Sequence, residues 1–401
     1  MINNIKESFS KNKAFNGVVK KLKAVIIRIK NLCLNVIFRL LPVKKDKIVF
    51  LSYYGESYSD NPKYICDELL KRKTNLDIVW ILDEKADAPY EIRKVPYGSV
   101  KSLMEMASAK VWVTNLRIFP QPKKKKNQFY LQTWHGSYAV KLIEGQAEEN
   151  LTPYYVKSAK NDGKISDAII AGDSAMLECM QNSFWLSDKN EILTIGNPKN
   201  DPFYDEEYKK VISSQIRSKY NIADNTVVIL FMPTFRLDNT FEYLTLDYER
   251  IIEAFEEKYN KEAVILVRLH PNVYNAEFSL PTNKKIINVT DYPEGFELMI
   301  AADYMISDFS GVMANFALLK KCVFIFAPDY DRYVERRGLN KTYFDMPVEV
   351  ARSNEALIDI IRNFDDNKQK ELWKEFFDKY VCFDDGHASE KAAEWILSKV
   401  K

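Results

Sequence analysis

A chain of 401 residues that is 46% hydrophobic and 28% charged is composed like a folded protein with two or three apolar cores, which excludes a disordered or fibrous chain. Its 58 Lys and Arg against 56 Asp and Glu leave a formal net charge of +2, so no whole-molecule field selects nucleic acid as a partner. The five cysteines (Cys33, Cys66, Cys179, Cys322, Cys382) are scattered and never spaced Cys-x-x-Cys, which argues against a zinc site or a disulfide frame and fits a reducing, cytosolic compartment.

In chain order, residues 11–45 come first, with ten Lys or Arg and no acid. Val18, Leu22, Val25, Ile26, Ile29, Leu32, Val36, Ile37 and Leu40 recur at three- and four-residue steps, the spacing of a helix with one apolar face. Charges interrupt that face too often for a membrane span, which needs about 20 largely apolar residues. No small-residue cleavage site marks a signal peptide. The expectation is a basic helix in residues 1–45, lying on an anionic membrane surface, with roughly 1 kcal/mol from each basic residue near it. A helix packed on its own domain with a solvated basic rim is the alternative, and Pro42 ends the helix in either case.

Beyond Pro42, "KIVFLSYYG" (47–55), "DIVWIL" (77–82), "KVWVTN" (110–115), "FYLQTW" (129–134), "DAIIAGD" (167–173) and "EILTIGNP" (191–198) are strand-like runs. Helix-like segments fall at 61–73, 99–109 and from Ser174. A polar helical stretch, 204–220, separates them from a second cycle: "TVVILFMPTF" (226–235), "EAVILVRLHP" (262–271), "IINVT" (286–290), "DYMISDFS" (303–310) and "CVFIFAPD" (322–329). Apolar runs alternating with helices predict parallel sheets covered on both faces. The expected architecture is two doubly wound α/β domains facing across a cleft, residues 46–220 and 221–385, followed by a C-terminal helix, 386–401. Ligands of such sheets bind beyond the carboxyl ends of the strands. "PKKKK" (122–126) reads as a solvated loop tip, with a phosphate or membrane contact as the alternative.

The chemistry-bearing residues cluster at those strand ends. His135 follows "QTW" and His270 follows "VILVRL", one in each half, so a closed cleft would bring these two of the three histidines together. His387, in "DDGHAS", reads as a residue of a helix's first turn. "ISDFSGVMANFALLK" runs from a strand through Ser307, Asp308, Ser310 and Gly311 into a helix. Unpaired N–H groups, two hydroxyls and a glycine that admits a ligand there suit phosphate oxygens. A plain helix cap at Asp308 or Ser310 is the other reading. "FMPTFR" places Thr234 and Arg236 at another strand end, where Arg236 would grip a phosphate or sit on the surface. Lys199, in the turn "GNPKND", is a further ligand candidate. The nucleophile-elbow, Walker, zincin and dinucleotide motifs are absent, and no metal cluster stands out, which points to metal-independent work on a phosphorylated ligand.

From about Lys47 onward the chain resembles the CDP-glycerol glycerophosphotransferases, which build teichoic acids and related polymers. "QTWHG" and "RLHP" look like the family's two histidine motifs, and "ISDFSGVMANFALLKKCVFIFAPD" resembles its donor-binding segment. "FMPTFR", "GNPKND", "YSDNPKYI" (58–65) and "DDGHAS" match four more motifs, in family order. The chain departs at Ser137-Tyr138-Ala139, where Thr-Pro-Leu is common, at Phe309, Gly311 and Lys199, where Tyr, Ser and Arg are usual, and after Tyr343-Phe344-Asp345, where a Pro-Gly is missing.

The resemblance implies a GT-B-type fold with the donor on the C-terminal domain. It makes His135 and His270 the catalytic histidines, His135 as general base on the acceptor hydroxyl. His270, Arg236, Ser307, Asp308 and Ser310 would hold a CDP-polyol, with Thr234, Gly311 and Lys199 as further substrate contacts. No cofactor and no metal are implied. The partners expected are CDP-glycerol or CDP-ribitol, a lipid-linked acceptor and the anionic cytoplasmic face of the cell membrane, with no nucleic acid. A GT-B glycosyltransferase or epimerase, and an inactive membrane-associated scaffold, are the competing functions.

Overall fold

The computed structural model describes residues 36–118, 121–236, 241–269, 273 and 280–400. Most of the expected N-terminal helix therefore lies outside the described residues, as does His270. Residues 36–40 are helical and stop short of Pro42. Val36, Ile37 and Leu40, from the apolar stripe, are 50%, 47% and 78% exposed.

Thirteen strands are described, in two sheets. The first joins β1 (Lys44–Leu51), β2 (Asp77–Ile81), β3 (Arg93–Val95), β4 (Ala109–Thr114), β5 (Phe129–Gln132), β6 (Ala168–Ala171) and β7 (Glu191–Thr194) in the order β3-β2-β1-β4-β5-β6-β7. The second joins β8 (Val227–Phe231), β9 (Ala263–Val267), β10 (Ile286–Asn288), β11 (Tyr304–Ser307), β12 (Cys322–Phe326) and β13 (Val350–Ala351) in the order β10-β9-β8-β11-β12-β13. All pairings are parallel.

The apolar runs explain this arrangement. Ile48–Leu51 and all of β8, β9 and β12 are buried. The two faces of each sheet pack into separate cores: Ile48 and Phe50 point into one and Val49 and Leu51 into another. Val228 and Leu230 are likewise separated from Val227, Ile229 and Phe231. A strand buried on both sides needs helices on both sides, hence the doubly wound plan. The short edge strands β3 and β13 escaped the sequence pattern because runs of three and two residues carry no period.

In both sheets the chain order reverses beside the first strand, between β1 and β4 and between β8 and β11. That reversal opens a crevice at the carboxyl ends, where such folds take ligands. The last helix, Ala388–Val400, crosses back to the first sheet and buries Ala392, Ala393 and Ile396 against Ile48, Ile65 and Leu69. Before it, residues 381–383 pair with 172–174: Ser174 N donates to Val381 O at 2.9 Å and Phe383 N to Gly172 O at 2.9 Å.

Candidate functional site

His135 sits three residues past the end of β5, at the crevice of the first sheet. Its Nδ1 lies 3.0 Å from the carbonyl oxygen of Asn115, just past β4. A carbonyl only accepts, so Nδ1 carries the hydrogen and Nε2 keeps its lone pair. Burial holds the imidazole below its ordinary pKa, against the opposing pull of Asp60 and the Asn115 carbonyl. The ring is therefore neutral at pH 7, with a basic nitrogen to offer. Tyr53 meets it edge-on at 6.2 Å and the Trp134 ring lies 4.7 Å away.

The loop around His135 is strained and heavily supported. Trp134 and Tyr138 hold φ of +54° and +53°, a left-handed region that costs non-glycine residues about 1–3 kcal/mol each. Gln132 explains its place in "QTWHG": its side-chain carbonyl accepts the Trp134 N–H at 2.9 Å, and its amide donates to Tyr130 Oη at 2.8 Å and Leu116 O at 3.1 Å. Asn61 donates to the Thr133 and Trp134 carbonyls at 3.2 and 3.0 Å and accepts from Lys199 N at 3.1 Å. Beneath the loop, buried Arg117 pairs with Asp162 and Glu144, both at 3.0 Å, and its guanidinium carbon stands 5.5 Å from the Trp134 ring.

Lys199 is buried with Asp60 at 3.2 Å and also donates to the His135 carbonyl. Asp60 in turn accepts from Tyr53 Oη at 2.6 Å. Three motifs separated in the chain thus converge on one loop. Lys199, read from sequence as a ligand candidate, has its ammonium engaged by Asp60 and the His135 carbonyl, on the histidine loop. The "DDGHAS" motif acts on the same turn. Asp384 accepts from Asn200 Nδ2 at 2.8 Å, and Asp201 accepts the Ala388 and Ser389 N–H groups at 3.0 and 2.7 Å. Exposed His387 has Glu390 3.1 Å from its Nδ1.

The second sheet offers Ser307–Gly311 after β11 and Met232–Arg236 after β8. Arg236 is buried, with Nε 2.7 Å and Nη2 3.0 Å from the two oxygens of Asp329, and Nη2 also 2.8 Å from Asp308. These carboxylates raise its pKa against the effect of burial. The expectation that Arg236 grips a phosphate meets a guanidinium already held from two sides. Asp308 accepts the Thr234 and Phe309 N–H groups at 2.8 and 2.6 Å, and Ser307 Oγ donates to Met232 O at 2.7 Å. The helix that follows, Val312–Leu318, spans seven residues with Gly311 at its N-cap; the Ser310 hydroxyl accepts the Val312 N–H at 3.4 Å, while Asp308 turns back to the Thr234 and Phe309 N–H groups. Ser310 and Thr234 are half-buried. The Thr234 hydroxyl has no hydrogen-bond partner among the described residues.

Gly311 is where the two halves touch. A β-carbon on it would stand 2.2 Å from the Ser137 carbonyl oxygen, so the close approach expected there is made by the chain itself. Asn315 secures the contact, donating to Ser137 Oγ at 3.3 Å and Asn200 Oδ1 at 3.1 Å. Deeper in the seam, Asp60 N donates to Glu294 at 3.2 Å. The His135 loop and the Ser307–Gly311 segment therefore share one crevice. Among the described residues no three His, Cys, Asp or Glu side chains are grouped to hold a metal ion. No helix among them is long and apolar enough to cross a membrane.

Comparison with known proteins agrees with this geometry. The model of the family described as CDP-glycerol:poly(glycerophosphate) glycerophosphotransferase matches residues 33–398. The chain is 28% identical to the teichoic acid poly(glycerol phosphate) polymerase of Staphylococcus epidermidis, across all of this chain and 58% of that one. It is also 28% identical to the enzyme of the same name from Bacillus spizizenii, across 95% of this chain and 99% of that one. A solved structure of the wall teichoic acid polymerase TagF superposes with a TM-score of 0.81 at 27% identity, covering 96% of this chain and 97% of that one.

Proposed function

The chain belongs to the CDP-glycerol:poly(glycerophosphate) glycerophosphotransferase family, and from that premise we propose that it moves glycerol phosphate, or a related polyol phosphate, from a CDP-polyol to a hydroxyl of a teichoic-acid-type acceptor. The observation that carries this reading is the His135 tautomer. With Nδ1–H held by the Asn115 carbonyl, Nε2 is the free base in a crevice shared with the Ser307–Gly311 segment. A neutral imidazole there takes the proton of the acceptor hydroxyl as its oxygen attacks the β-phosphorus, and CMP leaves. His270 is the second catalytic histidine of the proposal, on its motif alone. The Thr234 hydroxyl and Ser310 are offered to the diphosphate. Arg236, Asp308 and Ser307 act as supports that fix the segment's shape, and Lys199 fixes the base.

The acceptor proposed is lipid-linked and the site of action the cytoplasmic face of the membrane, reached through the basic segment in residues 1–45. The exposure of Val36, Ile37 and Leu40 supports that placement. Purified protein incubated with CDP-glycerol, CDP-ribitol or a UDP-sugar, each with a teichoic-acid primer, tests the reading. Release of CMP with extension of the primer is expected. Release of UDP alone makes the protein a sugar-nucleotide enzyme, and no turnover with any donor makes it a scaffold.

A further inference from the structure

Just past His135's loop, at residues 140–142, the chain forms a second seam between the halves. Lys141 makes an antiparallel bridge with Leu339. Leu142 N donates to Gly338 O at 3.3 Å, Asn340 N to Val140 O at 3.0 Å, and Asn340 Nδ2 to Lys141 O at 2.9 Å. Gly338 is required there: its φ is +71°, and a β-carbon would stand 2.4 Å from Leu142 Cδ1. Arg337, the last residue of the helix Tyr330–Arg337, immediately precedes that glycine. The backbone thus fixes a lysine of the first half and an arginine of the second beside one another.

Four other cations taken from water among the described residues are compensated. Lys199 has Asp60, Arg117 has Asp162 and Glu144, and Arg236 has Asp329 and Asp308. Lys321 donates to the carbonyls of Ile300 and Ala302. Lys141 and Arg337 are both partly buried, and neither side chain makes a hydrogen bond or ion pair among the described residues. Burial pushes Lys141 down to about 8, with Arg337 and Arg236 adding to the fall and Asp308 opposing it. Asp308 is already engaged by Arg236 and the Thr234 N–H, so it does not neutralise the pair. Two like charges held together, with no carboxylate paired to either side chain among the described residues, leave room for an anion from outside.

We propose that Lys141 and Arg337 are the two jaws of an oxyanion clamp, one from each half, which closes on a phosphate group beside Asp308. An ammonium and a planar guanidinium on opposite sides suit a tetrahedral phosphate, the arginine by a paired contact. The phosphate belongs either to the donor's diphosphate or to the phosphodiester chain of the acceptor. Its identity rests on the function proposed above; the existence of the clamp does not.

Calorimetric titration of inorganic pyrophosphate, CDP-glycerol and a short glycerol-phosphate oligomer into the wild type, K141Q, R337Q, K141R and the double variant K141Q/R337Q tests it. Pyrophosphate affinity is expected to fall tenfold or more in each glutamine variant and to recover in K141R. The double variant should lose less than the product of the single losses, because one ligand is shared. Whichever of CDP-glycerol and the oligomer weakens in parallel is the source of the phosphate. The ligand-free melting temperature of K141Q should rise, since an uncompensated charge is removed; a merely structural lysine would give a fall. Pyrophosphate affinity within twofold of wild type in both glutamine variants, or no pyrophosphate binding by the wild type, overturns the clamp. Pyrophosphate binding that the variants lose, in a protein that binds neither CDP-glycerol nor the oligomer, leaves the clamp standing and removes the proposed function.

Discussion

On one side of the crevice Trp134 and Tyr138 bend the backbone into left-handed conformations around His135, whereas the Ser307–Gly311 segment opposite runs from strand into helix with no such residue. On the first side the Gln132 side chain accepts the Trp134 N–H, and the Asn61 amide and Lys199 ammonium donate to the carbonyls of the loop. The second is held by a buried ion network centred on Arg236. Around the nitrogen proposed to face a hydroxyl, the fold fixes the backbone itself. Around the segment proposed to receive a diffuse charge, it fixes side chains on ordinary backbone. Strain of this kind persists only when the surroundings over-determine it.

The largest effect that separates the two sides is loss of the base. Substituting His135→Ala should cut turnover by about 10²–10⁴-fold while CDP-glycerol affinity, measured calorimetrically, stays near wild type. A comparable loss of donor affinity would merge the sides into one binding surface. Next comes the ion network: Arg236→Ala strands Asp329 and Asp308 and should cost about 3–5 kcal/mol in chemical denaturation. Little change in stability, with weaker donor binding, would restore Arg236 as a phosphate contact. At the junction, Gly311→Ala forces the Ser137 carbonyl aside and should cost about 1–3 kcal/mol, with a rise in KM for the acceptor.

Smaller effects sharpen the picture. The His135 pKa lies below about 6.5, so the acid limb of kcat/KM should fall below that value and disappear in His135→Ala. The same depression makes protonation unfavourable in the folded state. The stability contributed by the neutral ring is present above the unfolded value and is lost as pH falls from there through the lowered folded one. Smallest of all, Thr234→Val removes a hydroxyl without a partner among the described residues. It should leave stability unchanged or slightly higher while weakening donor use a few-fold, read from KM against denaturation midpoint.

Much of this was legible from the chain. Apolar runs such as Ile48–Leu51 and Val227–Phe231 announce strands covered on both faces, and the motifs mark strand ends that do form the crevice. Legibility failed where function depends on pairing. Lys199 and Arg236 read as ligand contacts because Asp60 and Asp329 lie 139 and 93 residues away, a separation that periodicity does not bridge. Gly311 read as room for a ligand for the same reason: Ser137 reaches it from the other half. Lys141 and Arg337, each unremarkable in its own segment, stand out only through the company they lack. Tyr138 signals a departure in the sequence, since a proline in its place has φ near −65° and could not hold +53°. Its consequence for the loop needs the fold to be seen.

The return of the helix Ala388–Val400 to the first sheet means that the polypeptide bridges the two halves twice, near residues 204–206 and again near 380. One connection would permit twisting in any direction; two restrict rocking to an axis running through both. Any opening of the crevice to the proposed acceptor would thereby be channelled into a jaw-like swing, with the Gly311 and Gly338 contacts on the edge that parts.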